Sequence, residues 1–212
     1  MTDSPRTLAV TGTGTAESAP DLLTLSIGVE SRRPGVEAAY RDAGAAATAI
    51  TDALRGHGVT DRDITGTGLL LRAEVAWQEG QGQRVTGYLA TGTLRVRLRD
   101  LAGSAAVVAD AVRAGADDAR LHGIDLGFAD PAALESEARE AAWEDALTRA
   151  GQFAALAGAR LGKVLSVTEN PAIPPALPPV PLQRTAAAQP VAVEAGSASV
   201  TAAVGVVWEL LD

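Results

Sequence analysis

The segment from Asp130 to Asn170 constrains the fold more than any other, because it has the features of one long helix, a glycine stop and a strand. Asp130 is expected to accept hydrogen bonds from the first free amides, and Pro131 suits a helical position that needs no amide hydrogen. Gly158 suits the left-handed conformation that ends many helices. A helix of about 27 residues is about 40 Å long. The segment carries no evident chemistry, so we interpret it as a scaffold element.

Small apolar residues recur on one face of this predicted helix, which would let a sheet or another helix approach closely. The predicted stripe consists of Ala138, Ala142, Ala146, Ala150, Phe153 and Ala157, widened by Trp143 and Leu147. The acidic residues of the same helix are Glu135, Glu137, Glu140, Glu144 and Asp145. Because Arg139 and Arg149 lie among them, we interpret these acids as a charged, solvated surface and not as a catalytic acid–base pair.

Strand and helix patterns cover most of the remaining chain. The predicted strands are 7–15, 22–32, 62–77, 84–99, 120–128, 163–169 and 197–211. Spacings of three and four residues predict a helix that begins at Pro34. Its apolar stripe is Val36, Tyr40, Ala43, Ala47, Ile50 and Leu54. A further helix is predicted over 101–114, with Asp100 as its cap.

The element order is therefore β-β-α-β-β-α-β-α-β-loop-β. Antiparallel hairpins together with separate helices predict an α+β fold, with antiparallel sheet or sheets and three helices packed on one side. We expect residues 1–6 to be disordered and residues 7–212 to form a single domain.

A proline-rich loop is predicted over 170–196, because seven prolines and no amphipathic period occur there. One interpretation is a stiff spacer or an arm that reaches a neighbouring subunit. The other is a protein partner that docks on the proline motif. The candidate interaction residues are Pro174, Pro175, Pro178, Pro179 and Pro181.

Composition limits the classes of function. A net charge of −8 argues against a nucleic-acid binder, since binding to phosphates needs an excess of Lys and Arg. With no cysteine, the chain has neither a disulfide nor a thiolate nucleophile. No apolar run is long enough for a membrane span, and the start MTDSPRTLAV lacks a basic region followed by an apolar one. We therefore expect a soluble cytoplasmic protein, or a periplasmic or secreted one if a leader has been removed.

Several segments, taken in order, resemble the SIMPL-domain family. They are VTGTG at 10–14, APD at 19–21, TGY at 86–88, LRVRLRDL at 94–101, the pattern EAR…A…DA within 137–146, and LGKV at 161–164. The resemblance spans nearly the whole chain. It implies an α+β fold, large homo-oligomers in some members and no established enzymatic reaction. Bacterial members include proteins labelled as oxidative stress defence or periplasmic immunogenic proteins. The family has no catalytic motif, so the resemblance implies no site residue and no cofactor.

Three arginines form the clearest candidate site. Arg95, Arg97 and Arg99 alternate with apolar residues and are predicted to lie on one face of a strand. One interpretation is a surface for an anion or an acidic partner. The other is a solvated face whose arginines pair with acids on the neighbouring strand.

Other candidate motifs lack the partners that their chemistry needs. His57 is expected in an exposed turn between glycines, and His122 on a strand face with Ile124 and Phe128. Neither has the convergent ligands of a metal site. The Gly12-x-Gly14 pair is followed by a strand and not by a helix, which argues against a dinucleotide site. The segment 158–164 departs from a phosphate-binding loop in spacing, and we interpret it as a helix stop and strand entry.

The leading hypothesis is a non-enzymatic, self-associating SIMPL-type protein with a structural or stress-protective role and no cofactor. Two alternatives remain open. One is a small anion- or ligand-binding protein, or a carboxylate-dependent hydrolase, that uses the Arg95/Arg97/Arg99 face. This alternative requires a concave pocket in which the charged groups converge. The other is a partner-binding module that uses the proline-rich loop.

Overall fold

A computed structural model describes residues 6–78, 82–169 and 196–212. The chain forms two compact units. One unit, here the terminal unit, combines residues 6–19 with 130–169 and 196–212. The other, here the inserted unit, comprises residues 20–129 apart from 79–81. The prediction that 7–212 form a single domain remains a prediction.

The described residues contain seven strands and three helices in the predicted order, which confirms the α+β fold. The strands are β1 (Thr7–Ser18), β2 (Leu22–Arg33), β3 (Ile64–Gln78), β4 (Gly82–Leu98), β5 (Ala119–Gly127), β6 (Arg160–Glu169) and β7 (Ala198–Leu211). The helices are α1 (Val36–Gly56), α2 (Ser104–Ala114) and α3 (Ala132–Leu156). The helices are divided between the two units. The five candidate prolines lie outside the described residues.

The inserted unit has a four-stranded antiparallel sheet with the order β3-β4-β2-β5, on which α1 and α2 pack. Leu25 and Ile27 of β2 are fully buried against Ile50 and Leu54 of α1. The predicted stripe of α1 is therefore correct in its C-terminal half. Its first members are not buried, since Val36 is 44% exposed and Tyr40 is 57% exposed. Ala39 takes the buried position in that turn.

The terminal unit has a three-stranded antiparallel sheet with the order β1-β7-β6, and α3 packs mainly on β1 and β7. The buried row of α3 is Leu134, Ala138, Ala142, Ala146, Ala150 and Ala154. Phe153 and Ala157 were wrongly assigned to this row. The row keeps a spacing of four, and Phe153 lies about 100° around the helix from Ala154. Phe153 is consequently 53% exposed.

Two glycines of β1 provide the surface on which α3 rests. A Cβ atom at Gly12 would lie 2.7 Å from Cβ of Ala146, and one at Gly14 would lie 2.7 Å from the backbone carbon of Ala141. The helix backbone therefore lies directly on the strand. This contact explains the Gly12-x-Gly14 pattern, whose role is packing.

Candidate functional site

The three candidate arginines, two on β4 and one directly after it, are exposed, as the alternation predicts. Arg95, Arg97 and Arg99 are exposed, whereas Val96 and Leu98 between them are buried. The neighbouring strands present hydroxyl groups and not acids. Arg95 lies opposite Ser26 and Thr65, and Arg97 lies opposite Thr24. The expected pairing with acids on the neighbouring strand is therefore wrong for Arg95 and Arg97.

The end of this arginine row lines a cavity of about 250 Å³ within the inserted unit. Its lining comes from the segment between α1 and β3, from the end of β4 and the residues after it, and from α2. The lining residues are His57, Gly58, Val59, Thr60, Arg62, Asp63, Arg97, Leu98, Arg99, Asp100 and Val107. We call it the α1–β4 pocket. It brings together His57, Arg97 and Arg99, three of the residues that the sequence singles out, and it does not include Arg95.

Asp63 organises one wall of the α1–β4 pocket. Its side chain is 7% exposed. Arg99 Nη1 and Thr60 Oγ1 each donate a hydrogen bond to Asp63 Oδ2 at 2.8 Å. Hydrogen bonding from Arg99, followed by that from Thr60, lowers the pKa of Asp63 below its usual value. Asp63 therefore stays ionised and holds Arg99 in place.

A histidine–carboxylate contact joins the turn after α1 to α2. His57 Nε2 lies 2.8 Å from Asp110 Oδ2, and Arg113 pairs with the other oxygen of the same carboxylate. The contact with His57, and then that with Arg113, lowers the pKa of Asp110. The His57 side chain is 32% exposed. The residue lies exposed in the turn after α1, as the sequence predicted, and its ring contacts Asp110.

The guanidinium groups of the pocket are only partly paired with acids. Among the described residues, Arg97 makes no ion pair, and Arg62 approaches Asp63 only to 3.8 Å. Asp100 uses its Oδ1 to accept a hydrogen bond from the amide of Gly103. In the described part of the chain, no three His, Asp or Glu side chains are placed to hold a metal ion. The pocket can therefore offer guanidinium donors to an anion.

Sequence reasoning missed Arg62 and Asp63 as pocket residues. They occupy a 3-10 turn, Asp61–Asp63, that was assigned in part to a strand. The one signal in the sequence is Thr60-x-x-Asp63, in which a hydroxyl and a carboxylate three residues apart can bond within a tight turn.

His122 lies on the opposite face of the sheet from the one predicted. The register of β5 against β2 shifts between Ser26 and Ile27, so that Gly123 and Leu121 are paired and His122 is the extra residue. A Cβ atom at Gly28 would lie 2.7 Å from His122 Nε2. The ring therefore covers Gly28 on the outer face, whereas Ile124 packs against the core.

The remaining candidates have structural roles. Gly158 has φ of +64°, and β6 begins two residues later, as expected for a helix stop and strand entry. Arg139 pairs with Glu135 at 3.1 Å and with Glu169 at 2.6 Å. These ion pairs fit the interpretation of the α3 acids as a charged surface.

Asp63 also yields a pH-dependent prediction. Because its pKa is lower in the folded state than in the unfolded state, its contribution to stability is present above about pH 4 and is lost as the pH falls through the folded-state pKa. Asp63→Asn is expected to lower the free energy of unfolding by about 1–2 kcal/mol at pH 7 and by less at pH 3. Urea unfolding across this pH range measures both values.

The matched control is Asp61→Asn in the same turn. The Asp61 side chain is 78% exposed and pairs with Arg55 at 2.9 Å, an exposed ion pair of little expected value. Equal effects of the two substitutions, or a cost for Asp63→Asn that does not vary with pH, would contradict the role assigned to Asp63.

Comparison with known proteins identifies a family that the chain matches. Residues 8–208 match the family model SIMPL, described as a protein of unknown function (DUF541). The 26 kDa periplasmic immunogenic protein of Brucella melitensis is 29% identical over 221 residues, which cover 99% of this chain and 87% of the relative. The uncharacterized protein YggE of Escherichia coli K12 is 28% identical over 167 residues, which cover 79% of this chain and 66% of the relative.

These relatives correct the predicted location. The expectation of a cytoplasmic protein is wrong, because the Brucella relatives are named as periplasmic proteins. The error came from treating the lack of a leader in the given residues as evidence. Within the described ranges, no helix has both the length and the apolarity needed to cross a bilayer.

The resemblance noted in the sequence is thereby confirmed over nearly the full length. The α+β topology, the absence of an enzymatic name among these relatives and the match over residues 8–208 agree with one another. The chain belongs to the SIMPL (DUF541) family.

Proposed function

We propose that this protein is a non-enzymatic, self-associating component of the periplasm with a structural or stress-protective role. The observation that carries the self-association is a projecting arm of the β3–β4 hairpin. The periplasmic location is supported by the names of the Brucella relatives. The stress-protective part is supported by the family resemblance alone.

The arm begins where β2 ends. β2 pairs with β4 only as far as the contact between Arg33 and Tyr88. Beyond that point, β3 and β4 continue as a two-stranded ribbon over 74–78 and 82–87. In the sheet of described residues, neither outer edge of the ribbon is paired. An isolated two-stranded ribbon is only marginally stable in water, so a partner would stabilise it.

The arm also has an exposed apolar face. Val75 and Val85 lie directly opposite each other, so their side chains share one face of the ribbon with that of Trp77. Trp77 is 78% exposed, Val75 51% and Val85 49%. A cluster of exposed apolar side chains marks an interaction surface. A second copy of the chain is the partner we propose, because the same arm supplies both the apolar face and the free strand edges.

The proposal is tested by size-exclusion chromatography with light scattering. The wild-type protein is expected to have a mass that is a multiple of one chain, and Trp77→Glu is expected to shift it to the monomer. Because Trp77 is 78% exposed, the substitution should leave the circular dichroism spectrum unchanged. Tyr40→Glu is the matched control, since Tyr40 is a 57% exposed aromatic residue on α1 and outside the arm. A wild-type monomer at all working concentrations would refute self-association.

The other hypotheses have less support. The hypothesis of a carboxylate-dependent hydrolase that uses the Arg95/Arg97/Arg99 face remains a prediction. The partner-binding hypothesis depends on prolines outside the described residues and remains a prediction.

A further inference from the structure

We propose that the α1–β4 pocket binds a small organic monocarboxylate, with the carboxylate on Arg97 and the apolar part against Val59 and Val107. This site is independent of the self-association proposed above, because the pocket lies at the opposite end of β4 from the hairpin arm. The argument rests on the available donors, the charge balance, and the size and lining of the pocket.

Arg97 is the main donor available to a ligand. Its side chain is exposed, faces Thr24 across the strand pair, and makes no hydrogen bond or ion pair with another described residue. A guanidinium can bind a carboxylate through two parallel N–H···O bonds. Arg99 is less available, because its Nη1 already donates to Asp63. Arg62 is 80% exposed at its side chain and can contribute at the rim.

The charges of the pocket favour a single negative charge. Arg62, Arg97 and Arg99 supply three positive charges, and the carboxylates in the lining, Asp63 and Asp100, supply two negative ones. His57 also lines the pocket and contacts Asp110, which pairs in turn with Arg113. These three arginines and two aspartates together have a net charge of about +1, which a monocarboxylate balances. A dianion such as phosphate would leave uncompensated repulsion with Asp63 and Asp100.

The size and lining of the pocket restrict the rest of the ligand. A volume of about 250 Å³ lies below the range of about 300–1,000 Å³ that is typical for drug-sized ligands. Val59 and Val107 are half-buried and provide apolar surface beside the arginines. A short aliphatic tail is therefore favoured. Each methylene that leaves water on this surface is expected to tighten binding by up to about fourfold.

The experiment is an NMR titration of the full-length, nitrogen-15-labelled protein with acetate, propionate and butyrate at constant ionic strength. Saturable shifts are expected at Gly58, Val59 and Val107, with Kd falling from acetate to butyrate. Arg97→Gln is expected to weaken butyrate binding about tenfold or more, because the charge-assisted pair is lost. Arg95→Gln is the matched control, since Arg95 lies two residues away on the same strand face and outside the pocket. It should bind butyrate like the wild type.

Three outcomes would overturn the proposal. They are the absence of saturable shifts with butyrate, equal weakening by Arg97→Gln and Arg95→Gln, and tighter binding of inorganic phosphate than of butyrate. Butanol tests the charge requirement, because it has the same apolar tail without a carboxylate. Butanol binding as tight as that of butyrate would also contradict the role of Arg97. None of these results depends on the oligomeric state, so the pocket and the hairpin arm can fail separately.

Discussion

Gly14→Ala is expected to lower the free energy of unfolding by about 3 kcal/mol or more, which is the upper end of the cost of adding one methyl group to a packed interior. The physical reason is that the backbone of α3 packs directly on β1. The new Cβ would overlap the carbonyl oxygen of Ala138 and the amide nitrogen of Ala142 and lie 2.7 Å from the backbone carbon of Ala141. These are backbone atoms and cannot rotate away as a side chain would. The helix must lift from the sheet or the strand must bend.

Urea unfolding monitored by circular dichroism measures this cost. Gly151→Ala is the matched control, because Gly151 lies within α3 and nothing is within 4 Å of an added Cβ. Alanine there replaces the less favourable helix former and is expected to stabilise the protein by up to about 1 kcal/mol. The two glycine-to-alanine substitutions should thus change the free energy of unfolding in opposite directions. A neutral Gly14→Ala protein would show that α3 does not rest on β1 as described.

Trp208→Ala is expected to lower the free energy of unfolding by about 3–5 kcal/mol, as other large-to-small substitutions of buried aromatic residues do. Trp208 lies on the central strand β7 and is 2% exposed. The buried residues that pack with it are Val10, Ala146, Ala150 and Val206, all smaller. None of these four buried neighbours is large enough to fill the space that the indole would leave. A cavity with its full energetic cost is the expected result.

Trp143→Ala is the control for this substitution. The two indole rings lie 6.3 Å apart between centroids at an interplanar angle of 48°, but Trp143 is 36% exposed. Its loss should therefore cost clearly less, about 1–2 kcal/mol. Circular dichroism is the appropriate probe, since each substitution removes a fluorophore. Equal costs for the two tryptophans would contradict the assignment of Trp208 as the centre of this core.

The element order was predictable because it depends on local periodicity. Alternation in β2 and β7 and helical spacing in α1 and α3 are properties of short segments, and the structure confirms the strands and helices that they predict. The division into two sheets was not predictable in this way. It depends on the pairing of β1 with β7, which joins residues near opposite ends of the chain.

The α1–β4 pocket was only partly predictable for the same reason. Alternation placed the β4 arginines on an exposed face. It gave no indication that Asp63, 36 residues away in the chain, would bind Arg99. The predicted face of His122 was wrong, because β5 contains one extra residue that forms a bulge. The residue at a bulge lies on a different face from the one that strict alternation predicts. Gly12 and Gly14 lacked an explanation because the atoms that exclude a side chain there belong to a distant helix.

The pairing of β1 with β7 also has a consequence for how the chain is made. Among the described strands, the central strand of the terminal sheet emerges last from the ribosome, and all strands of the inserted sheet precede it. β1 is synthesised first, yet in the described sheet its strand partner is supplied by 198–211. The terminal sheet can therefore close only after residues 198–211 have been synthesised, when every strand of the inserted sheet is already available. This order leaves β1 without its strand partner until β7 has emerged from the ribosome.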